Sequence, residues 1–432
     1  MRWGPTGLGV VAVAVVTAMA GASVLTVDCS GGADYLTVQD AVDAAADRDT
    51  LLIAPCLYAE EVLVTGKALT LIGSGADNTE LRSLGGAEAL EIALSGSSGG
   101  PFQVVGMSIV RVPANRPTLR WGGGKLVLRD CIVSGRASTD GVTEGHAEIV
   151  ESRMTSLVVG AGNRVSVTEN SRIDYALFVG AIYGPSHFLQ SSNSVFGHLA
   201  LSGCEASSAC DSIGTLVLSG DSDRWDRFSG DQGTIGSIQA GECAQVWLTG
   251  SAIADLQYLS WWETWPSLSL SDCLVTGDLT VSIPSWSSHP SAVSFGRRDT
   301  DPIGIEIEHC TVIGEFGLEV GVPLNLFPRR HVRGNIVQGS TVIDLAYHYA
   351  VISHNDFAGG ASVAAPGDSV YANIEADPLF CGASSEDFRL QECSPCVGSA
   401  HDGSNMGRYQ ETCECLTTLQ AMSWGAVKAR FR

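Results

Sequence analysis

The stretch IEIEHCTVIG, residues 305–314, begins as a half-buried strand and then breaks its own register. Ile305 and Ile307 alternate with glutamates, as in a strand that has one face in the core. This alternation predicts an inward residue at position 309, but a histidine stands there, and the next small apolar residue is Cys310. The inward register therefore shifts by one residue, which predicts a turn of the chain at His309.

The same shift recurs along the chain. Each time, alternating apolar residues precede a corner residue, and a small inward residue follows it. The predicted corner residues are Gly106, Asp130, Glu151, Gly250, Asp272, His309, Gly334 and His354. Glycine, aspartate and histidine dominate this set, and these types tolerate a positive φ more readily than most. We therefore interpret His309 and His354 as corner residues rather than as catalytic or metal-binding groups.

The repetition indicates a solenoid. Between Met107 and Asn355, roughly ten such units of about 25 residues follow one another, a period typical of solenoids. Each unit consists of short strands and corners without a helix. This pattern predicts an all-β protein, a single-stranded right-handed parallel β-helix whose coils stack about 4.8 Å apart. The cysteines that follow corners are expected to pack inward as small apolar side chains, and they are Cys131, Cys273 and Cys310.

The chain divides into three predicted parts. Residues 1–22 have one arginine, an apolar run and a small-x-small cleavage site, as in a secretory signal peptide. Residues 23–380 form the β-helix, with a helix near 38–46 that caps its first coil. Residues 381–432 form a cysteine-rich C-terminal cap and tail. After signal cleavage we expect no transmembrane segment, because no second apolar run follows.

Secretion permits disulfides. We predict that Cys29 pairs with Cys56 across the N-terminal cap. The C-terminal cysteines are spaced too irregularly for a zinc ribbon, which favours a disulfide-stapled cap. The cysteines expected in disulfides are Cys29, Cys56, Cys204, Cys210, Cys381, Cys393, Cys396 and Cys413.

The charge limits the partners. The formal net charge is −22, with 47 acidic against 25 basic residues. No basic stripe exists to neutralise phosphates, so nucleic acid is excluded as a partner. A polyanionic polysaccharide would be repelled unless divalent cations bridged it. We expect a soluble monomer that is secreted to the extracellular space or cell surface, or retained in a periplasm.

Several motifs resemble a known superfamily. Residues 29–81 contain the helix TVQDAVDAA and the strands DTLLIAP and LTLIGSG, and NIVQG (335–339), HNDF (354–357) and NIEADPLF (373–380) follow later. Over about residues 28–400 the chain resembles the right-handed parallel β-helix proteins of the pectin-lyase-like superfamily, of the secreted bacterial type. The resemblance implies the fold, which carries lyases, hydrolases, esterases and adhesins alike. The catalytic signatures of polygalacturonases, pectate lyases and pectin methylesterases do not occur in the sequence, so catalysis stays open.

Unusually long spacings between corners predict loops on one face, and in solenoids this is often the binding face. The tryptophans in or beside these loops are the ligand-binding candidates, and they are Trp225, Trp261, Trp262, Trp265 and Trp286. A tryptophan face stacks on sugar rings, but the same side chains could instead pin the loops onto the coils. The catalytic candidates are Asp221, Asp223, Asp226 and Glu263, which are predicted in or beside these loops, and Arg330. The aspartates could serve Ca²⁺ but lack a full loop signature, so no cofactor is predicted.

Two functions remain from the sequence. The first is a secreted β-helix that binds a polysaccharide or a cell-surface glycan, or that serves as a surface scaffold. The alternative is a polysaccharide-degrading enzyme, either a pectate-lyase-like lyase or a glycoside hydrolase, that uses the aspartate and tryptophan loops. The missing catalytic signatures favour the first.

Overall fold

The computed structural model describes residues 22–85, 87–94, 100–112, 116–139, 145–160, 162–179, 187–219, 226–241, 244–259, 267–283, 304–320, 329–345, 350–364 and 370–415. Within these ranges the protein is almost entirely β. In chain order the elements are β1 (Val24–Val27), α1 (Val38–Ala44), β2 (Thr50–Ile53), β3 (Cys56–Tyr58), β4 (Val62–Thr65), β5 (Thr70–Ile72), β6 (Thr79–Ser83), β7 (Leu90–Ala93), β8 (Pro101–Val105), β9 (Ser108–Arg111), β10 (Leu119–Gly122), β11 (Gly124–Arg129), β12 (Ile132–Thr139), β13 (Gly145–Val150), β14 (Arg153–Val159), β15 (Arg164–Thr168), β16 (Arg172–Val179), β17 (His187–Ser192), β18 (Val195–Ser202), β19 (Cys204–Ala209), β20 (Ser212–Leu218), β21 (Asp226–Asp231), β22 (Thr234–Ala240), β23 (Ala244–Thr249), β24 (Ala252–Leu259), β25 (Ser267–Ser271), β26 (Leu274–Val275), β27 (Leu279–Ile283), β28 (Gly304–Glu308), β29 (Thr311–Val312), β30 (Phe316–Val320), β31 (Arg329–Arg333), β32 (Ile336–Val337), β33 (Thr341–Leu345), β34 (Val351–Ser353), β35 (Asp356–Phe357), β36 (Ala361–Ala364), β37 (Val370–Tyr371), β38 (Phe380–Gly382), a 3-10 helix (Ala383–Ser385), β39 (Asp387–Gln391) and β40 (Thr412–Cys413).

Two long parallel sheets run along the molecule. Sheet A contains 16 strands, and they are β1, β2, β5, β8, β11, β13, β15, β17, β19, β21, β23, β25, β28, β31, β34 and β37. Sheet B contains 21 strands, which are the remaining ones from β3 to β36. The chain passes from a sheet A strand through a corner into sheet B and then returns to sheet A one coil further on. This is a parallel β-helix, and the predicted fold class is confirmed.

The core consists of rows of apolar side chains that run along the stack. At one position of β16, β18, β20, β22 and β24 the paired residues are Ile173, Phe196, Ile213, Ile235 and Ile253. All of them are buried. Because each side chain packs on the equivalent side chain of the next coil, the register of the coils is fixed by this row.

The corners lie where the sequence predicts them. All eight predicted corner residues have positive φ, between 49° and 70°. His309 (φ 52°) and His354 (φ 56°) are among them, so their assignment as corner residues is confirmed.

Two further corners escape the sequence pattern. They are Cys210 (φ 55°) and Gln232 (φ 53°), and they divide residues 193–251 into three coils where the pattern predicts two. Neither cysteine nor glutamine is a residue type that favours positive φ. As a result Asp226–Asp231, predicted within an inserted loop, is strand β21 of sheet A.

The residue after the first of these corners is a buried carboxylate. Asp211 accepts hydrogen bonds from Ser208 Oγ at 2.7 Å and from Ser194 N at 2.8 Å, and also from Ser191 Oγ. Burial raises its pKa, and these donors oppose that rise. A charged residue therefore occupies an inward position that the sequence pattern assigns to small side chains.

Inside the corners the small side chains form the predicted ladder. In the last coils it consists of asparagines. Asn335 Nδ2 donates to Asn355 Oδ1, and Asn355 Nδ2 donates to Asn373 Oδ1, both at 2.9 Å. Asn355 Nδ2 also donates to Val332 O at 2.8 Å. Earlier in this ladder lie three buried free thiols, as predicted, and they belong to Cys131, Cys273 and Cys310.

The N-terminal helix is Val38–Ala44, slightly shorter than the predicted 38–46. Thr37 is its N-cap, and its Oγ1 accepts from Asp40 N at 3.1 Å. The carboxylate of Glu60 accepts from the first two helical amides at 2.8 and 2.9 Å. The donors at the helix N-terminus are thus satisfied by side chains, and the apolar side of the helix packs over the first coil.

Three disulfides close the two ends, and they are Cys29–Cys56, Cys381–Cys413 and Cys393–Cys415. The predicted Cys29–Cys56 pair is confirmed. The disulfide prediction is wrong for Cys210 and Cys396, which are free thiols. The prediction is also wrong for Cys204, which is buried and forms no disulfide, and Cys210 is an exposed corner residue.

The C-terminal cap packs against the last coils. Its strands β38, β39 and β40 form a small third sheet. A separate apolar cluster joins the cap to β32, and its buried members are Ile336, Leu390, Cys396, Ala400 and Met406. Nowhere in the described ranges does a helix have the length and apolar character needed to cross a membrane.

Candidate functional site

Residues 393–409, which we call the return segment, run back from the cap along the corners of earlier coils. Near its start, Cys396 Sγ donates to Asp356 Oδ2 at 3.0 Å. At its far end, Arg408 Nη2 donates to Gly250 O at 2.7 Å. The return segment therefore contacts several coils and brings cap side chains over their corner residues.

His401 of the return segment meets His309 and His354 of the coils, and we call these three histidines and Asp402 the histidine cluster. His309 and His354 are corner residues two coils apart, and the corner between them is Gly334. The His401 ring lies 5.4 Å from the His309 ring and 6.4 Å from the His354 ring, between centroids. A Cβ at Gly334 would lie 3.2 Å from His309 Nδ1 and 3.6 Å from the Cβ of Ala400. Because glycine has no side chain, Gly334 leaves space for the His309 ring and for Ala400.

Asp402 completes the cluster. Its Oδ2 lies 3.6 Å from His309 Nε2. Its Oδ1 accepts from Ser404 N at 3.0 Å and from Ser404 Oγ at 2.6 Å. These hydrogen bonds lower the pKa of Asp402 to about 2. The pKa of His401 is also lowered, first by burial and then by the charge of Arg333. At neutral pH the cluster therefore contains an ionised carboxylate beside a neutral His401.

The histidine rings are not fully hydrogen-bonded. Among the described residues, the buried Nδ1 atoms of His309, His354 and His401 have no hydrogen-bond partner. Buried ring nitrogens usually find a partner, because leaving one unsatisfied costs about 1–3 kcal/mol. Beside the cluster, Arg333 Nε forms an ion pair with Glu308 Oε1 at 2.6 Å, so the charge of this arginine is neutralised. The cluster is therefore rich in nitrogen and oxygen donors without a large local positive charge.

A second candidate surface is the outer face of sheet A. One row across β19, β21, β23 and β25 consists of Ser207, Ser229, Trp247 and Ser269, all partly exposed. Trp247 is thus a large aromatic side chain with small hydroxyl neighbours on both sides along the stack.

Polar side chains surround Trp247. The guanidinium of Arg227 lies 5.2 Å from the Trp247 ring centroid, within cation–π range. Arg227 Nε and Nη2 donate to Gln245 Oε1 at 3.3 and 3.2 Å, and Arg227 Nη1 lies 3.8 Å from Glu205 Oε1. An aromatic face next to planar hydrogen-bonding groups is a surface that can meet both the apolar face and the hydroxyls of a sugar.

Most of the candidate site residues from the sequence lie outside the residues that the structure describes. Those outside the described residues are Trp225, Trp261, Trp262, Trp265, Trp286, Asp221, Asp223 and Glu263. Arg330 lies within β31, although its side chain is outside the described part. Asp226 is buried at the start of β21, and its Oδ1 accepts from Cys204 N at 3.1 Å. Its predicted place on an inserted loop is therefore wrong, and the carboxylate supports the backbone of the neighbouring coil.

The sequence pattern indicates neither of these two surfaces. Trp247 follows the alternation of its strand, which gives it no distinguishing feature in the sequence. His401 and Asp402 lie in a non-repeating segment far from His309 along the chain. The available signal was the pair His401-Asp402 itself, two adjacent ligand-type residues among turn-forming residues.

The fold and these surfaces define a parallel β-helix protein with a histidine-rich junction between coils and cap. No family model matches the chain, and nothing among the curated proteins matches it. Among solved structures, a pectin methylesterase from carrot is similar, with 14% identity and a TM-score of 0.31 over 56% of this chain and 84% of that chain. A likeness of that size carries no argument about the activity of this protein.

Proposed function

We propose that this protein is secreted and binds a polysaccharide on the outer face of sheet A, around Trp247. The observation that carries the proposal is the stacking of Arg227 on Trp247 within a row of serines. A ring with small neighbours presents a flat apolar platform. The partly exposed guanidinium of Arg227 and carboxylate of Glu205 lie beside it, where they can reach hydroxyl groups.

The shape of the surface suits an extended ligand. Successive side chains of the row repeat at the strand spacing, about 4.8 Å. A polymer chain can therefore lie along the stack and contact several coils at once, which adds affinity through repeated weak contacts.

The overall charge narrows the ligand class. With a net charge of −22, the protein repels polyanions over distances within the Debye length. The expected ligand is accordingly a neutral polysaccharide, or an acidic one only when divalent cations bridge it.

Export is supported by two features. The N-terminal residues 1–22 have the composition of a signal peptide. Three disulfides close the ends of the β-helix, and such bonds persist mainly in oxidising compartments.

The test is binding by Trp247 variants. Protein covering residues 23–432, without an affinity tag, is run in affinity electrophoresis against neutral and acidic plant, algal and microbial polysaccharides, with and without Ca²⁺. W247A should weaken binding at least about tenfold, which corresponds to ~1.4 kcal/mol. W247F, which keeps an aromatic face, should retain part of the affinity.

The matched control is Y175A. Tyr175 is an exposed aromatic residue on sheet B, stacked on His198 with ring centroids 5.0 Å apart. Y175A should bind as the unmodified protein does. Absence of binding to every polysaccharide, or equal binding by W247A, would rule out the proposal. Formation of unsaturated or new reducing ends during the incubations would instead support the degrading enzyme.

A further inference from the structure

We infer that His309, His401 and Asp402 together bind one divalent transition-metal ion of the zinc class, at the junction of a coil corner and the C-terminal cap. This inference does not depend on the proposed polysaccharide binding.

The donor atoms converge. One nitrogen from each histidine and one carboxylate oxygen of Asp402 all lie within 4.8 Å of one another. Zinc places tetrahedral nitrogen and oxygen donors about 3.4 Å apart, as its bond lengths of about 2.0–2.2 Å require. The most distant pair therefore has to approach by up to about 1.4 Å, which small rotations of the exposed Asp402 side chain and of the partly buried histidine rings supply.

The donor types select the metal. Two imidazoles and one carboxylate suit zinc and its transition-metal neighbours, whereas Ca²⁺ and Mg²⁺ prefer shells of oxygen alone. Three protein ligands leave a fourth position open to water. Asp402 has 50% of its side chain exposed, so this position is accessible from solvent.

Neighbouring groups already orient two of the ligands. Ser404 donates twice to Oδ1 of Asp402, so Oδ2 is the oxygen that faces His309 Nε2. The ring of His309 packs over Gly334, where any side chain would crowd it. Such supporting contacts orient metal ligands in known sites. One nitrogen of the His401 ring converges on the site, and the buried Nδ1 of this ring has no hydrogen-bond partner among the described residues.

The ligands come from two parts of the fold. His309 belongs to a coil corner, whereas His401 and Asp402 belong to the return segment. A bound metal therefore fastens the return segment to the β-helix, and it should protect the backbone amides of the return segment from exchange.

The test uses untagged, disulfide-intact protein freed of metal with EDTA. Isothermal titration with Zn²⁺ alone should give one site per chain, and Co²⁺ should give the visible spectrum of a tetrahedral complex. H309Q, H401Q and D402N should each lower the Zn²⁺ affinity at least about tenfold. Loss of a hydrogen-bond partner of a ligand already costs about 10–100-fold, and loss of a ligand should cost no less. Hydrogen exchange of residues 400–407 should slow on adding Zn²⁺ in the unmodified protein and not in D402N.

H198Q is the control, because His198 is stacked on Tyr175 on sheet B, away from the cluster. H198Q should bind Zn²⁺ as tightly as the unmodified protein. Circular dichroism and thermal melting of the metal-free variants show whether each variant is folded. Because the Asp402 side chain is exposed, D402N should fold even if a histidine variant fails to fold, and it then carries the test. Absence of stoichiometric Zn²⁺ binding, or equal affinity in folded D402N, overturns the inference. Loss of binding in H354Q together with its retention in D402N overturns the ligand set.

Discussion

Gly334 combines two requirements in one residue. Its φ of 70° turns the chain at a corner, and its missing Cβ leaves room for the ring of His309 and for Ala400. A backbone in the left-handed region costs a non-glycine residue about 1–2 kcal/mol. At Gly334 crowding adds to that cost, because packed neighbours resist an inserted methyl group.

We expect G334A to destabilise the protein more than G66A. Gly66 has nearly the same φ, 66°, but a Cβ there would meet no atom within 4 Å. G66A should therefore lose only the conformational part, about 1–2 kcal/mol, and G334A about 1–3 kcal/mol more. Urea unfolding followed by circular dichroism measures both. Equal losses would show that the space beside His309 can relax.

Single residues were predictable where their own preference matches the fold. Glycine, aspartate and histidine corners stand out in sequence because these types tolerate positive φ. Cys210 and Gln232 have no such preference, and stacking between neighbouring coils imposes the conformation on them. The corner pattern predicts the turn at His309 but not the contacts of its ring with the return segment.

Among the elements, the asparagine ladder stabilises the last coils. The side chain of Asn355 accepts from Asn335 Nδ2 and from Asn335 N, and it donates to Asn373 Oδ1 and to Val332 O. All these groups lie in or near the interior, where an unmade hydrogen bond costs about 1–3 kcal/mol. One amide thus links three successive coils.

N355A should lower the free energy of unfolding by at least ~2 kcal/mol, because it leaves buried donors and an acceptor without partners. The matched control is N78A. The amide of Asn78 donates only to Ser74 O, at 3.1 Å, and is exposed. N78A should change stability by about 0.5 kcal/mol or less. Similar losses in the two variants would mean that the ladder contributes little.

Strands were more predictable than the cap. Each strand repeats a pattern that its neighbours share, so the period identifies it. The return segment has no period, and its contacts with Gly250 and Asp356 join residues that are far apart in sequence. The histidine cluster lies between those contacts along the return segment, which explains why the sequence indicates the fold but not the cluster.

At the scale of the whole molecule, the stack of coils determines the shape. Sheet A has 16 strands in one order along the axis. At about 4.8 Å a strand the stack is about 70 Å long, before the caps are added. A compact chain of this length would measure only about 57 Å across, from its expected radius of gyration.

Small-angle X-ray scattering should therefore give a maximum dimension above ~70 Å and a pair-distance distribution skewed toward long distances. The scattering should be measured at several protein concentrations, because association of molecules would also increase the maximum dimension. A symmetric distribution that ends near ~57 Å would be incompatible with the rod.

The return segment also imposes an order in time. Synthesis proceeds from the N-terminus, so the corners at Gly250 and Gly334 and the strand residue Asp356 leave the ribosome before their partners in the return segment, Arg408, Gly407 and Cys396. Coils can pair one after another as they emerge, but those contacts form only when residues 393–409 have appeared. A chain interrupted before that point has paired coils without these contacts, so the fold is complete only after residues 393–409 have been synthesised.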